Sequence, residues 1–368
     1  MRKIKEMVSF FDKPIILLVF SFILFCPLLF LNIRHDHDWG GDFAQYLSQA
    51  DNIAHFKAMD KTGYLFNAEY SSLGPEAYPP GFPLIIAPMI HFFGNQTTPY
   101  NYLLSCFIIA CAILSVFLLK KRIGAFSAII LSIVIYYNPY FIQLKSEIIA
   151  DIPFTLLVLG FILITFESKE FSLRKWIFAG ILAGFAASTK STGNTLFIAL
   201  FVFLLQQIVI SLMKHNTFGE VFKNIKPIIL SIIIGIVLTL LLSLTFSHRI
   251  NTSSSYFYTF NISELSYKII GDNLFYYSEI LRTFFMETKS TELWFGTLFG
   301  AAVLTFSITG LIISFNKKPD IKEWFTVAYF GILLIYPYQH SGFRFLIPIA
   351  PLIIYYASTA VIQLKPGK

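Results

Sequence analysis

Asn101-Tyr-Leu-Leu-Ser-Cys-Phe-Ile-Ile-Ala-Cys-Ala-Ile-Leu-Ser-Val-Phe-Leu-Leu119, followed at once by Lys120-Lys121-Arg122, decides the reading of this chain. Nineteen residues without a charge are long enough to cross a hydrocarbon core about 30 Å thick as a helix. The basic triplet at the end gives the crossing a direction, because Lys and Arg concentrate on the cytoplasmic side of a membrane protein. The same pattern recurs along the sequence. We read ten spans, at 15–33, 101–119, 124–141, 150–166, 175–188, 192–213, 227–247, 294–315, 324–339 and 343–362. The first follows a basic start but is long for a signal peptide and lacks a small-residue cleavage site, so it reads as an uncleaved helix.

Composition agrees. Of 368 residues, 56% are hydrophobic and 13% charged, against about 45–50% and 25% in soluble domains. Mean hydropathy is +0.67. These values exclude a soluble enzyme, a disordered chain and a nucleic-acid-binding domain. The three cysteines all lie in apolar runs with no CxxC spacing, and read as buried hydrophobes.

Charge sorts with the spans. Placing the N-terminus inside leaves 18 Lys and Arg against 7 Asp and Glu on the inner side, and 10 against 14 on the outer side. Both termini are therefore expected in the cytoplasm. The apolar piece 82–93 would invert this bias if it crossed. It is short, and Pro79, Pro80, Pro83 and Pro88 predict that regular helix is broken there, so it reads as an interfacial or re-entrant segment. The expected organisation is one all-α polytopic transmembrane domain over 1–368. It has two large outer loops, 34–100 with juxtamembrane helices and 248–293, no internal repeat and no soluble C-terminal domain.

No span carries an ionisable residue near its middle, which argues against a proton-coupled transporter. Polar chemistry gathers at the outer face instead. Asp42 opens an amphipathic stretch in which Phe43, Leu47, Ala50 and Ala54 share a face, and Gln45 stands three residues on, as in a capping box. Asp42 thus reads either as a helix cap or as a general base held at the membrane surface. A helix N-terminus would position the carboxylate but weaken it as a base.

Asp36 and Asp38, with His35 and His37, offer oxygen and imidazole ligands to a divalent cation, but the spacing is loose and the motif short, and a solvated exit from the first span is the better reading. Tyr78-Pro79-Pro80-Gly81 reads as a rigid turn or as the wall of a substrate groove. Glu147 and Asp151 are four apart and would share one helix face. Lys190, in a short outer loop, and Arg344, entering the last span, are anchors at the interface or ligands for phosphate. His340 lies beside Arg344 in sequence.

The order of these pieces carries a resemblance. Asp42 with Tyr46 and Ala50 leads to YPPGFPLIIAP (78–88), a span ending in Lys120-Lys121-Arg122, SEIIADIPF (146–154), GILAGFAASTK (180–190) and FRFLIPIAPL (343–352). Over about 34–360 this resembles the GT-C class of membrane glycosyltransferases, in the group of protein O-mannosyltransferases and lipid A aminoarabinose transferase. The resemblance implies a sugar donor linked to polyprenyl phosphate, a glycan, lipid or protein acceptor, and chemistry at the outer face of a cell membrane. It implies that Asp42 deprotonates the acceptor hydroxyl. Glu147, Asp151, Lys190, Arg344, Tyr78 and His340 are then expected to bind substrate. Two departures stand out: Phe43 replaces the second acidic residue of many members, and Tyr78 replaces a Lys that some carry before the Pro-Pro pair. A non-catalytic carrier or flippase, or a degenerate binder of lipid-linked saccharides, is the alternative.

Overall fold

The computed structural model describes residues 13–37, 41–67, 69, 74–166, 172–215, 217–247, 267–283, 294–336 and 342–364, and all regular structure among them is helical. The helices are α1 (Pro14–Phe25), α2 (Asp42–Ala54), α3 (Gly81–Phe93), α4 (Thr97–Ile123), α5 (Ala125–Tyr136), α6 (Pro139–Leu144), α7 (Asp151–Thr165) and α8 (Leu173–Thr189). They continue as α9 (Asn194–Met213), α10 (Phe218–Ser247), α11 (Tyr267–Arg282), α12 (Trp294–Lys317), α13 (Ile321–Ile335) and α14 (Ala350–Gln363). A 3-10 segment, Gly342–Ile349, leads into α14.

Five stretches are long and apolar enough to cross a membrane: Thr97–Ile123, Ser191–Met213, Phe218–Phe246, Gly296–Lys317 and Gly342–Gln363. α1, α3, α5 and α7 are shorter apolar helices. Large hydrophobic side chains such as Leu240, Leu241, Leu298 and Ile312 remain exposed on α10 and α12. That is the surface expected where the surrounding medium is lipid.

The main core runs through α4, α5, α7, α8, α9, α13 and α14, and is lined by residues such as Val116, Phe154, Phe161, Leu200 and Tyr329. A second, smaller core joins α2 and α3 to the start of α4 through Phe43, Tyr46, Leu47, Phe82, Ile86 and Tyr100. This second core carries the functional interest, because it fixes α2, Tyr78 and α3 against the start of α4.

Two local expectations need correction. The segment 82–93 is not broken by its prolines but forms continuous α3. Pro83 stands in the first turn, where a missing N–H costs nothing, and Pro88 removes one bond in the interior. Glu147 and Asp151 do not share a helix face, because the chain turns between α6 and α7 and Asp151 is the first residue of α7.

Candidate functional site

Gly41 adopts φ +77°, a conformation that side-chain-bearing residues rarely take, and the chain turns there into α2. Asp42 is the first residue of that helix but makes no capping bond. Its carboxylate faces away from the backbone. Oδ1 accepts from the Tyr78 hydroxyl at 2.6 Å, and Oδ2 accepts from Arg344 Nη2 at 2.5 Å. Gln45 likewise does not close a capping box. Its amide donates to the carbonyls of Pro75 and Glu76 at 3.1 and 2.8 Å.

One turn on, Gln49 holds the backbone of Tyr78 from both sides. Its Nε2 donates to the Tyr78 carbonyl at 2.9 Å, and its Oε1 accepts from the Tyr78 N–H at 3.1 Å. Tyr46 stacks on the Tyr78 ring, with centroids 4.4 Å apart, and Phe82 meets Tyr46 edge-on at 5.0 Å. These contacts leave the phenol little freedom, so its hydroxyl is aimed at Asp42 by the fold.

The turn Pro79-Pro80-Gly81 docks this unit on the bundle. A Cβ at Gly81 would sit 2.7 Å from the backbone carbonyl of Ser188 and from the Thr189 hydroxyl, so only glycine allows α3 to approach the end of α8 this closely. Lys190 follows directly at the end of α8.

Asp151 is completely buried at the start of α7. It accepts from Lys190 Nζ through Oδ1, and from Arg344 Nε through Oδ2 at 2.7 Å. Lys190 Nζ also lies 4.5 Å from the centroid of the Phe345 ring. Arg344, on the 3-10 segment, is the hub: Nε binds Asp151 and Nη2 binds Asp42. The side chains of Asp42 and Arg344 keep 27% and 23% of their surface exposed, whereas Asp151 keeps none. The cluster therefore has a sealed side, Asp151 with Lys190, and an open side where Arg344 meets Asp42.

Asp42, Tyr78, Asp151, Lys190 and Arg344 are thus brought together. Glu147 lies close enough for Arg344, Arg34 and His37 to act on its charge, and burial pushes its carboxyl above the usual range against their pull. Asp36 is exposed. Asp38 and His340, and nearly all of 248–293 apart from α11, lie outside the described residues. Among the described residues no group of three His, Cys, Asp or Glu is placed to hold a metal ion.

Several supporting residues went unread in the sequence. Asn101 accepts from the Arg34 N–H at 2.8 Å and donates to the Ser146 carbonyl at 3.1 Å. Asn32 donates to the Ser146 hydroxyl at 2.9 Å. Lys145 is fully buried, with Nζ on the Ser105 hydroxyl at 3.1 Å. Together they pin the turn that carries Glu147 and Asp151. Gln45 and Gln49, polar and four apart on an otherwise amphipathic helix, were the readable signal for the Tyr78 clamp.

The fold can be compared with solved structures. ArnT from Cupriavidus metallidurans bound to undecaprenyl phosphate superimposes with a TM-score of 0.58 at 14% identity, over 95% of this chain and 60% of that one. The fold is that of the GT-C glycosyltransferases. The archaeal oligosaccharyltransferase AglB from Archaeoglobus fulgidus, in complex with an inhibitory peptide and a dolichol-phosphate, matches with a TM-score of 0.52 at 12% identity. That match covers 96% of this chain and 50% of that one. The chain thus spans about 60% of the length of the ArnT chain and half that of the AglB chain. The profile of the dolichyl-phosphate-mannose-protein mannosyltransferase family matches residues 77–222, from just before Tyr78 to the start of α10. No curated protein matches the sequence significantly.

Proposed function

We propose that this protein is a membrane glycosyltransferase that moves a sugar from a polyprenyl-phosphate donor to an acceptor hydroxyl at the outer face of a cell membrane. The observation that carries the reading is the convergence of Asp42, Asp151, Lys190 and Arg344. They come from four separate elements and meet beside α2 and α3. The family profile and the lipid-phosphate-bound neighbours support the same class.

In this reading the chain is a single ten-span domain with both termini in the cytoplasm, and segment 34–100 is the catalytic outer loop. The prenyl chain stays in lipid while its phosphate rests at the interface. Asp42 takes the proton of the acceptor hydroxyl. The acceptor oxygen forms a bond to the anomeric carbon, and the bond from that carbon to the phosphate oxygen breaks with inversion. The phosphate leaves with the electron pair. Arg344 and Lys190 stabilise the negative charge that develops on it, a role that suits preorganised cations in a site shielded from water. Tyr78 holds the Asp42 carboxylate in place, and Asp151 holds the two cations. Glu147 and His340 orient the acceptor, which is a glycan, lipid or protein.

Purified protein in nanodiscs, offered radiolabelled polyprenyl-phosphate sugars and a membrane extract as acceptor, tests this. Wild type should transfer label, and Asp42→Asn should transfer about 10²–10⁴-fold more slowly while still binding donor, the range for loss of a general base. Transfer unaffected by Asp42→Asn would remove Asp42 as the base and point to Glu147. Donor binding without transfer in the wild type would favour a carrier or a degenerate binder.

A further inference from the structure

Resting on the lipid-phosphate reading above, we infer that Arg344 is a latch: it holds Asp42 in the empty enzyme and releases it when a lipid phosphate takes its place. The starting point is charge. The cluster contains two carboxylates, Asp42 and Asp151, and two cations, Lys190 and Arg344, each engaged with another member. Among the described residues of the cluster, Lys190 Nζ and Arg344 Nε and Nη2 are each already engaged with a carboxylate. An incoming phosphate that takes one of these donors competes with the carboxylate it holds.

The structure decides which one. Displacing Asp151 would strip both cations from a fully buried carboxylate, and breaking a buried pair is strongly unfavourable. Lys190 is nearly as enclosed and packs against the Phe345 ring. Asp42 is different. It is partly exposed, and Arg344 reaches it through Nη2 alone. Nε faces Asp151, so the guanidinium can keep that bond while Nη2 exchanges one oxyanion for another. Phosphate suits the exchange, since its oxygens match the arginine fork.

The exchange couples the two halves of the reaction. Before donor binds, Asp42 has Arg344 on one oxygen and the Tyr78 hydroxyl on the other. Once phosphate occupies Nη2, Asp42 keeps only Tyr78, and its freed oxygen can receive the acceptor proton. Arg344 is then a positioning residue for the base as well as a ligand for the leaving group, and donor binds before acceptor.

Equilibrium binding of undecaprenyl phosphate alone, without sugar, tests the latch in nanodiscs. Asp42→Asn should tighten binding by about tenfold, the loss of one competing charged hydrogen bond. The same change made in an Arg344→Gln background should alter affinity by less than about twofold, because the competition runs through that guanidinium. Arg344→Lys supplies a second background, keeping a cation on Asp151 without bridging both carboxylates, and coupling should be lost there too. Melting curves identify any variant that fails to fold. Equal tightening in all backgrounds would mean that Asp42 merely repels phosphate, and would overturn the latch. So would no tightening at all, while leaving the glycosyltransferase reading intact. Wild type that binds no undecaprenyl phosphate would overturn both.

Discussion

Two ion networks sit at opposite ends of α7, and they are built in opposite ways. At its start, Asp151 joins Lys190 and Arg344, and Arg344 reaches on to Asp42; the partners are 39, 193 and 302 residues apart. Beyond its far end, Lys322 lies 4.5 Å from the Phe166 ring and pairs with Glu323 and Asp320, all within four residues. The second network finishes a helix. Asp320 accepts from the Ile321 N–H, Glu323 accepts from the Asp320 N–H, and the two form the capping box of α13. Its charges serve one another, and Glu323 is sealed from solvent. The first network caps nothing at Asp42 and keeps an exposed edge. A local charged set is explained by the helix it completes. A set assembled across 300 residues with an exposed edge is not explained in that way, and this is the set on which the proposed chemistry rests.

The largest expected effect separates the two ends directly. Asp151→Asn should leave the buried Lys190 and the partly exposed Arg344 short of their shared carboxylate. That costs about 3–5 kcal/mol of stability, and transfer should fall by at least about 10²-fold in the protein that remains folded. Glu323→Gln should cost about 1–3 kcal/mol and leave transfer per folded molecule unchanged. Thermal melts with activity normalised to folded protein check both. If Glu323→Gln silenced transfer as completely as Asp151→Asn, the division between catalytic and structural networks would fail.

A smaller effect is expected where helices dock. Gly81→Ala places a Cβ 2.7 Å from the Ser188 backbone, so α3 must move off α8 and carry Tyr78 and Asp42 away from Lys190. Misplacement of this size costs about 10–10²-fold in kcat, with a loss of about 1–3 kcal/mol in stability. Gly331→Ala, on α13, is the matched control: its Cβ would meet nothing within 4 Å. Parallel kinetics on the two variants would show whether the α3–α8 contact serves catalysis or packing alone.

The legibility of the sequence followed the same divide. Every apolar run read as a span is helical over most of its length, because hydrophobic length is a local property. The residues Asp42, Tyr78, Asp151, Lys190 and Arg344 were legible as candidates, since charge and aromatic OH at the outer ends of spans are visible in one dimension. Their pairing was not. Nothing local says that Arg344 bridges Asp42 and Asp151, or that Tyr78 donates to Asp42. The local rules misled at α2 and α3. Asp42 and Gln45 fit a capping pattern, but tertiary partners took both side chains. The prolines of 79–88 fit a broken segment, but packing against Tyr46 and Tyr100 holds α3 together. Lys145 gives no local signal, since a lysine between two apolar runs reads as solvated and its burial depends on Ser105 of α4 coming alongside.

Lys145 gives the smallest and most specific contrast between the two ends. Lys322 is buried with two carboxylates, whereas Lys145 is buried with a hydroxyl as its hydrogen-bond partner among the described residues. Burial therefore lowers the Lys145 amine from 10.5 to about 8. Below pH 8 the folded and unfolded chains both carry the proton, and the folded state bears the full cost of an enclosed charge. Between about 8 and 10.5 the folded chain sheds its proton while the unfolded chain keeps it, so stability from this group rises with pH. Lys145→Met should accordingly raise the melting temperature at pH 7, by the equivalent of about 1–3 kcal/mol. The gain should shrink as pH climbs through that window. Lys322→Met should do the reverse at pH 7, lowering stability by stranding Glu323. A Lys145→Met change that lowered stability at pH 7, as Lys322→Met should, would place an anion against the amine. Lys145 would then be a paired cation like Lys322, and the contrast between them would fail.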